Sequence, residues 1–200
     1  MTPAAVVPSV HDFGGYLLPL IQRLAEISGR DGKGGLFLFT SAAPREGVSW
    51  TVQAAARELT RLSPDKVLVL GGRGLPRLSP AQLRASHDVF QPVGQSVLTV
   101  RQDALLPYET AAYRFEECLD LFRRWFRFTL IDCPSLEESA LALALTPHTD
   151  GSVLVVAAGS TDQSRIIRSR DLLSQSKAPL LGCVLNRRTY PIPSWIYKRL

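Results

Sequence analysis

Short runs of aliphatic and aromatic residues alternate along this chain with longer segments of helical period. The runs cover residues 36–40, 67–70, 96–100, 128–132, 152–157 and 180–185, and polar positions in them are few. Near-continuous apolarity is what a strand buried on both faces requires, because inside–outside alternation arises only when one face meets water. Between them lie helix candidates over residues 16–27, 49–62, 109–122, 136–145 and 162–176. In the second of these, Val52, Ala55, Ala56, Leu59 and Leu62 fall on one face. Strands alternating with helices predict an α/β fold, a three-layer sandwich whose central, mainly parallel sheet is covered on both sides. Two Gly- and Pro-rich stretches, residues 71–80 and 91–94, read as loops, with a helix over residues 80–89 between them. Residues 1–12 read as a flexible N-terminal arm and residues 13–200 as a single domain.

Composition narrows the class. Hydrophobic residues make up 46% of the 200 and charged residues 20%, which excludes a disordered or fibrous chain. No run approaches the roughly 18 uncharged apolar residues of a membrane-spanning helix, and residues 1–10 lack the pattern of a secretion leader. The expected location is the cytoplasm, with Cys118, Cys133 and Cys183 reduced, since their spacing supports neither a disulfide framework nor a zinc knuckle. His11, His87 and His148 are too scattered to suggest a metal site or a hydrolase triad. The net charge of +5 is concentrated: Arg165, Arg168, Arg170, Lys177, Arg187, Arg188, Lys198 and Arg199 face Asp171 alone in residues 163–200. That segment suits either a solvated helix face with a basic tail or contact with an anionic surface.

The chemistry gathers after the first predicted strand. Residues 40–50 lie between a strand and a helix, where a phosphate-binding loop belongs. Such a loop reads G-x-x-x-x-G-K-[ST]: backbone N–H groups cradle phosphate, the lysine neutralises it and the hydroxyl helps hold Mg²⁺. Gly47 and Ser49 fit the pattern, but Val48 occupies the lysine position. A bound triphosphate would keep only the backbone donors, the helix dipole and Arg45 nearby. Gly47 and Ser49 would equally serve a plain strand-to-helix turn, Trp50 would serve packing or partly fill a pocket, and Asn186 could cap a strand end.

The loop Ser41-Ala-Ala-Pro-Arg-Glu-Gly-Val-Ser49 resembles the S-x-x-P-G-E-G-K-[ST] loop of the bacterial tyrosine kinase family, deviant Walker P-loop ATPases related to ParA and MinD. Three strands extend the resemblance over most of the chain. Phe128-Thr-Leu-Ile-Asp-Cys-Pro-Ser135 is similar to the family's D-x-x-I-I-D-x-P-P strand, Thr149-Asp-Gly-Ser-Val-Leu-Val-Val156 to the strand that follows, and Leu181-Gly-Cys-Val-Leu-Asn186 to its G-x-V-x-N strand. The resemblance implies a P-loop NTPase-like fold and a nucleotide site at Arg45, Glu46, Gly47, Val48, Ser49, Trp50 and Asn186. It places Mg²⁺ at Ser49 and Asp132, makes Asp132 the catalytic candidate of an active site, and brings in ATP or ADP with Mg²⁺ as cofactors.

The departures bear on activity. The family's I-D-x-D motif would fall at Leu70-Gly-Gly-Arg73, without either carboxylate. Tyr190 and Tyr197 replace a C-terminal tyrosine cluster, and the E-x-x-R-x-x-R assembly helix is missing before the first strand. Together they imply a catalytically degenerate scaffold or regulator in exopolysaccharide or capsule biosynthesis and export. Its implied partner is an inner-membrane chain-length regulator or synthase, with a homodimer and peripheral contact with the inner membrane face as further associations. One alternative is a weakly active ATP-binding autokinase or ATPase with Arg45 or Arg73 in the lysine's place. Another is a ParA/MinD-like module binding nucleic acid or a membrane surface through the basic C-terminal segment, nucleic acid being the less expected ligand.

Overall fold

The computed structural model describes residues 13–29, 32–71, 75–76, 81, 83, 89–93, 96–101, 105–106, 115–176 and 178–187. The arm over residues 1–12, most of the helix expected at 80–89, Gly72, Arg73, Tyr190, Tyr197 and the tail lie outside them. In chain order the elements are α1 (Phe13–Ile27), β1 (Gly35–Ser41), α2 (Val48–Leu62), β2 (Val67–Leu70), β3 (Leu75–Pro76), β4 (Phe90–Pro92) and β5 (Val97–Val100). There follow β6 (Leu105–Leu106), α3 (Phe115–Trp125), β7 (Phe128–Asp132), α4 (Leu141–Leu145) with a 3-10 turn at Thr146–His148, β8 (Gly151–Ala157), α5 (Gln163–Ser174) and β9 (Leu180–Asn186).

Seven strands form one sheet in the order β4-β5-β2-β7-β1-β8-β9, parallel throughout except for β4, which runs antiparallel to β5. The expected α/β architecture with its central, mainly parallel sheet is what the chain adopts. Side chains of β1 show why its apolar run is unbroken. Leu36 and Leu38 point to one face, where they meet Leu119, Phe122 and Phe126, while Phe37 and Phe39 point to the other, against Ile21, Leu24, Val52 and Leu59. Every residue of β1, β2 and β8 is buried. Phe90 closes the far end of the sheet, packing edge-on against Phe122 and Phe126 with ring centroids 6.2 and 5.4 Å apart.

Several boundaries differ from the sequence reading, each for a local reason. Residues 91–94 do not all form a loop, because Gln91 and Pro92 belong to β4; a proline fits there since β4 is an edge strand with one row of backbone groups unpaired. Leu75 and Pro76, inside the other expected loop, pair antiparallel with Leu106 and Leu105. The helix expected over residues 136–145 is α-helical only from Leu141. Serine hydroxyls compete with its earlier turns: Ser135 donates to Glu138 at 2.7 Å, and Ser139 accepts from the Leu141 N–H at 3.1 Å. Helix α1 starts three residues before its expected first residue, with Pro19 inside it.

Because β1, β2, β7, β8 and β9 all run the same way, their C-terminal ends open onto one edge of the sheet. The chain moves to one side of β1 after α2 and to the other between β7 and β8, so β1 marks the point at which an open α/β sheet forms a crevice. Ser41, Leu70, Asp132, Ala157 and Asn186 are the last residues of these strands.

Candidate functional site

The loop that follows β1 is built around two left-handed residues. Gly47 caps α2 at φ 92°, ψ 34°, and its carbonyl accepts hydrogen bonds from the N–H and hydroxyl of Thr51, both at 3.0 Å. Arg45 is also left-handed, at φ 63°. In the resembled loop this position carries glycine, and the backbone shows why: a side chain here costs about 1–2 kcal/mol.

Glu46 turns inward. Its carboxylate, only 3% exposed, accepts from the N–H of Ala43 at 2.9 Å, the N–H of Ala157 at 3.2 Å and the hydroxyl of Thr161. Its carbonyl accepts from Asn186 Nδ2 at 2.8 Å. The Asn186 amide is buried, and the Asn186 carbonyl in turn accepts from Ala158 N–H at 2.8 Å. These two side chains tie the loop to the ends of β8 and β9.

On the other side of the loop, the Ser49 hydroxyl hydrogen-bonds the Asp132 carboxylate at the end of β7. Burial pushes Asp132 above the usual carboxylate range, and the bond from Ser49 offsets part of that rise. The same burial, reinforced by the charge of Asp132, raises the neighbouring Cys133 thiol far enough to leave it without nucleophilic character. Folded Asp132 holds its proton more readily than the unfolded chain does, so its contribution to stability is present in acid and lost as pH rises through the raised value. Asp132→Asn is therefore expected to raise Tm near pH 7, with the gain fading as the pH falls through the raised value and absent below the ordinary carboxylate range. Thermal melts across that range check this, and a variant less stable than the parent near neutrality would refute it.

The lysine position points elsewhere. Val48 is 8% exposed and packs in the cluster containing Phe37, Phe39 and Val52. Gly71 follows Leu70, which pairs with Ile131, so the first missing carboxylate of the second acidic motif would stand beside Asp132; a Cβ built on Gly71 meets only open space. The donor set therefore fits an ATP·Mg²⁺ group in part. Ser49 and Asp132 could offer a hydroxyl and a carboxylate to Mg²⁺, but the lysine that would cover bound phosphates is absent and Gly71 offers no second carboxylate. Among the described residues no group of three or more His, Cys, Asp and Glu side chains is placed to hold a metal. Trp50 is 44% exposed, on the surface at the start of α2.

Beside the loop lies a cleft of about 260 Å³, lined on one side by Ala43, Pro44, Arg45 and Glu46 and on the other by Ala157, the turn into α5, Arg165 and Arg187. Neither Ser49 nor Asp132 lines it. Of the residues expected from the sequence, the structure thus brings Arg45, Glu46, Gly47 and Asn186 together on one side of the loop and Ser49 with Asp132 on the other. Sequence reasoning passed over Thr161, Arg165 and Arg187 as site residues. Two of these were visible only as members of a basic stretch.

Comparison with known proteins places this geometry. No protein-family model matches the chain. Tyrosine-protein kinase CpsD of Streptococcus pneumoniae serotype 4 is 26% identical over 117 residues, 57% of this chain and 52% of that protein, so the match spans about half of the relative's length. A second CpsD sequence from Streptococcus pneumoniae is 22% identical over 167 residues, 74% of each chain. The VpsO kinase domain superposes with a TM-score of 0.72 at 19% identity, covering 90% of this chain and 96% of that one. The chain is thus similar in sequence to CpsD and in fold to the VpsO kinase domain. The wider ParA/MinD-like P-loop fold is shared as well: the cell division ATPase MinD of Pyrococcus furiosus gives a TM-score of 0.57 at 16% identity, over 84% of this chain and 80% of that one. Cobyrinic acid a,c-diamide synthase of Mycobacterium smegmatis, solved with a bound ATP analogue and magnesium, gives 0.54 at 13% identity, over 75% and 71%. Within this tyrosine kinase-like frame, Val48 and Gly71 are the positions at which the chain's chemistry departs. Among the described residues no helix is long and apolar enough to cross a membrane.

Proposed function

We propose that this chain is a catalytically degenerate tyrosine kinase-like domain that serves as a scaffold or regulator in exopolysaccharide or capsule synthesis and export. One observation carries the reading: Val48 packs in the core at the position a phosphate-binding lysine would take, and the strand end at Gly71, next to Asp132, offers no carboxylate. Phosphoryl transfer depends almost wholly on positioning and charge neutralisation, so losing both groups removes activity instead of lowering it. Kinship with tyrosine kinases named CpsD supports the polysaccharide setting, with a membrane-bound chain-length regulator or synthase as the partner class. The retained Ser49–Asp132 pair favours a second reading, a nucleotide switch that binds ATP or ADP with Mg²⁺ but turns it over weakly. Arg45 gives that reading little support, since it lines the neighbouring cleft that excludes Ser49 and Asp132.

Calorimetric titration with ATP and ADP in Mg²⁺, with Asp132→Ala as the control, decides between them. The scaffold reading expects no saturable heat up to millimolar nucleotide and no ATP turnover in the parent chain or in Val48→Lys. Micromolar binding lost in the control would put the nucleotide switch first. Mg²⁺-dependent turnover by Val48→Lys alone would show that the missing carboxylates are not needed, and would overturn the degenerate reading.

A further inference from the structure

The two edges of the seven-stranded sheet are unlike. One ends on β4, three residues long and carrying Pro92, both of which discourage a further strand. The other ends on β9, whose seven residues, Leu180–Asn186, include no proline and no charged side chain. Among the described residues no strand pairs with its outer side. The Asn186 carbonyl accepts from the Ala158 N–H, toward β8. Successive residues of a strand turn their backbone groups to opposite sides, so Val184 also faces β8 while Cys183 and Leu185 hold their N–H and C=O outward. Their side chains are exposed as well, that of Leu185 at 54%.

Cys183 and Leu185 pair with Leu154 and Val156, and so lie on the face of the sheet that α5 covers through Ile166 and Leu173. Arg165 marks the inner flank of α5, since it reaches Glu137, just past β7, at 2.9 Å. Ile167 is two residues further on, about 200° around the helix, and therefore lies on the flank toward the open edge, 41% exposed. Arg170 shares that flank, with its guanidinium held by Asp171 at 2.7 Å. On the opposite face of the sheet, Leu181 and Val184 pack in the cluster that holds Leu17 and Ile21 of α1. The edge is thus three layers deep, with a strand of unpaired backbone between two helices.

We propose that the outer edge of β9 binds a second copy of this chain, the two β9 strands pairing antiparallel about a twofold axis at Val184 and joining both sheets into one. Cys183 of each copy then exchanges two backbone hydrogen bonds with Leu185 of the other. The axis stands perpendicular to the sheet, so both α5 helices lie on the same face. Each is seated over β8 and β9. With strands about 4.8 Å apart, the two helices would stand about 10 Å apart, an ordinary packing distance, and Ile167 and Leu185 of both copies would fill the seam. Charge favours a second copy over a charged partner, because β9 brings no ionic side chain against its like and offers none to an acidic or basic strand. Area is sufficient: an edge about 20 Å long and about 30 Å deep covers about 600 Å² per copy, which meets the lower bound of specific interfaces. Neither the loop nor Asp132 takes part, so the pairing stands whether or not the degenerate reading does.

The test is sedimentation velocity of the whole chain over about 1–100 μM, in EDTA and without nucleotide so that association through the loop does not contribute. A concentration-dependent dimer is expected, weakened about ten-fold or more by Leu185→Lys and by Cys183→Lys, each of which sets like charges into the apolar seam. Both positions are exposed in the single chain, so at concentrations where the parent is monomeric both variants should melt within about 2 °C of it, which separates lost pairing from lost folding. A third variant reads the register. In Leu185→Cys, oxidised glutathione should link position 185 of one copy to Cys183 of the other, because directly opposed residues lie about 5.5 Å apart at Cα, within the reach of a disulfide; Cys118 and Cys133 are buried and do not compete. The proposal is overturned if the parent stays monomeric throughout, if the dimer survives both lysine substitutions, or if the cysteine variant is dimeric yet forms no link between copies. A monomeric parent in which Leu185→Lys lowers Tm by several degrees would overturn it too, and would assign the edge to the chain's own residues 188–200.

Discussion

Gly47→Ala is expected to destabilise the fold by about 2–5 kcal/mol, the sum of two effects at one atom. The backbone at φ 92° disfavours any Cβ by about 1–2 kcal/mol. The added methyl would also collide with Asn186 Nδ2. The amide can move only by giving up its 2.8 Å bond to the Glu46 carbonyl, at a position where Asn186 is 7% exposed. A buried carbonyl left without a partner costs about 1–3 kcal/mol more. For a chain of this size that corresponds to a fall in Tm of roughly 4–20 °C. The two parts separate in a double-mutant cycle: in an Asn186→Ala background the collision is gone, so Gly47→Ala should then cost only its backbone share. A single variant melting within about 1 °C of the parent, or strict additivity in the cycle, would show that Asn186 does not hold the loop.

That prediction concerns a pair of residues whose relation no local pattern in the sequence could reveal. What was legible was whatever depends on near neighbours along the chain. The six apolar runs locate the strands to within a residue or so, because a parallel sheet buried on both faces needs unbroken apolarity and leaves no ambiguity about face. The loop's position between β1 and α2, and the vacancy at Val48, follow from spacing alone. Edge and turn elements were lost where the rule that punctuates loops also permits an edge strand, as at Pro92, or where serine side chains divert the backbone, as at Ser135 and Ser139. In the site the limit is separation along the chain. Glu46 reads as a charge beside a phosphate, yet its partners Ala157 and Thr161 lie 111 and 115 residues away. Asn186 is 140 residues from the carbonyl it holds. Arg187 counted only as one charge in a basic stretch until the left-handed turn after β9 placed it opposite Arg45.

Glu46 therefore offers the second large effect, and a graded one. Glu46→Ala is expected to cost about 3–5 kcal/mol, because it leaves the buried N–H of Ala157, the N–H of Ala43 and the Thr161 hydroxyl without their acceptor and opens a gap beneath the loop. Glu46→Gln should cost less, about 1–2 kcal/mol. Its amide oxygen can still accept from Ala157 and Thr161 on one side, but its NH₂ then faces the Ala43 N–H, setting donor against donor at a single contact. Asp in the same place keeps the charge but is one methylene too short to span both the loop and β8, so it should fall nearer to alanine than to glutamine. Such an ordering, Gln above Asp and Ala in chemical denaturation, would identify the carboxylate as the strut that holds the loop to the sheet. Hydrogen exchange gives a local check: the Ala43 and Ala157 amides should lose protection in the alanine variant before the centre of β1 does. If Glu46→Ala instead melts with the parent, the loop is held by Asn186 and the backbone alone, and the carboxylate is free for the ligand chemistry that its position in the motif suggested.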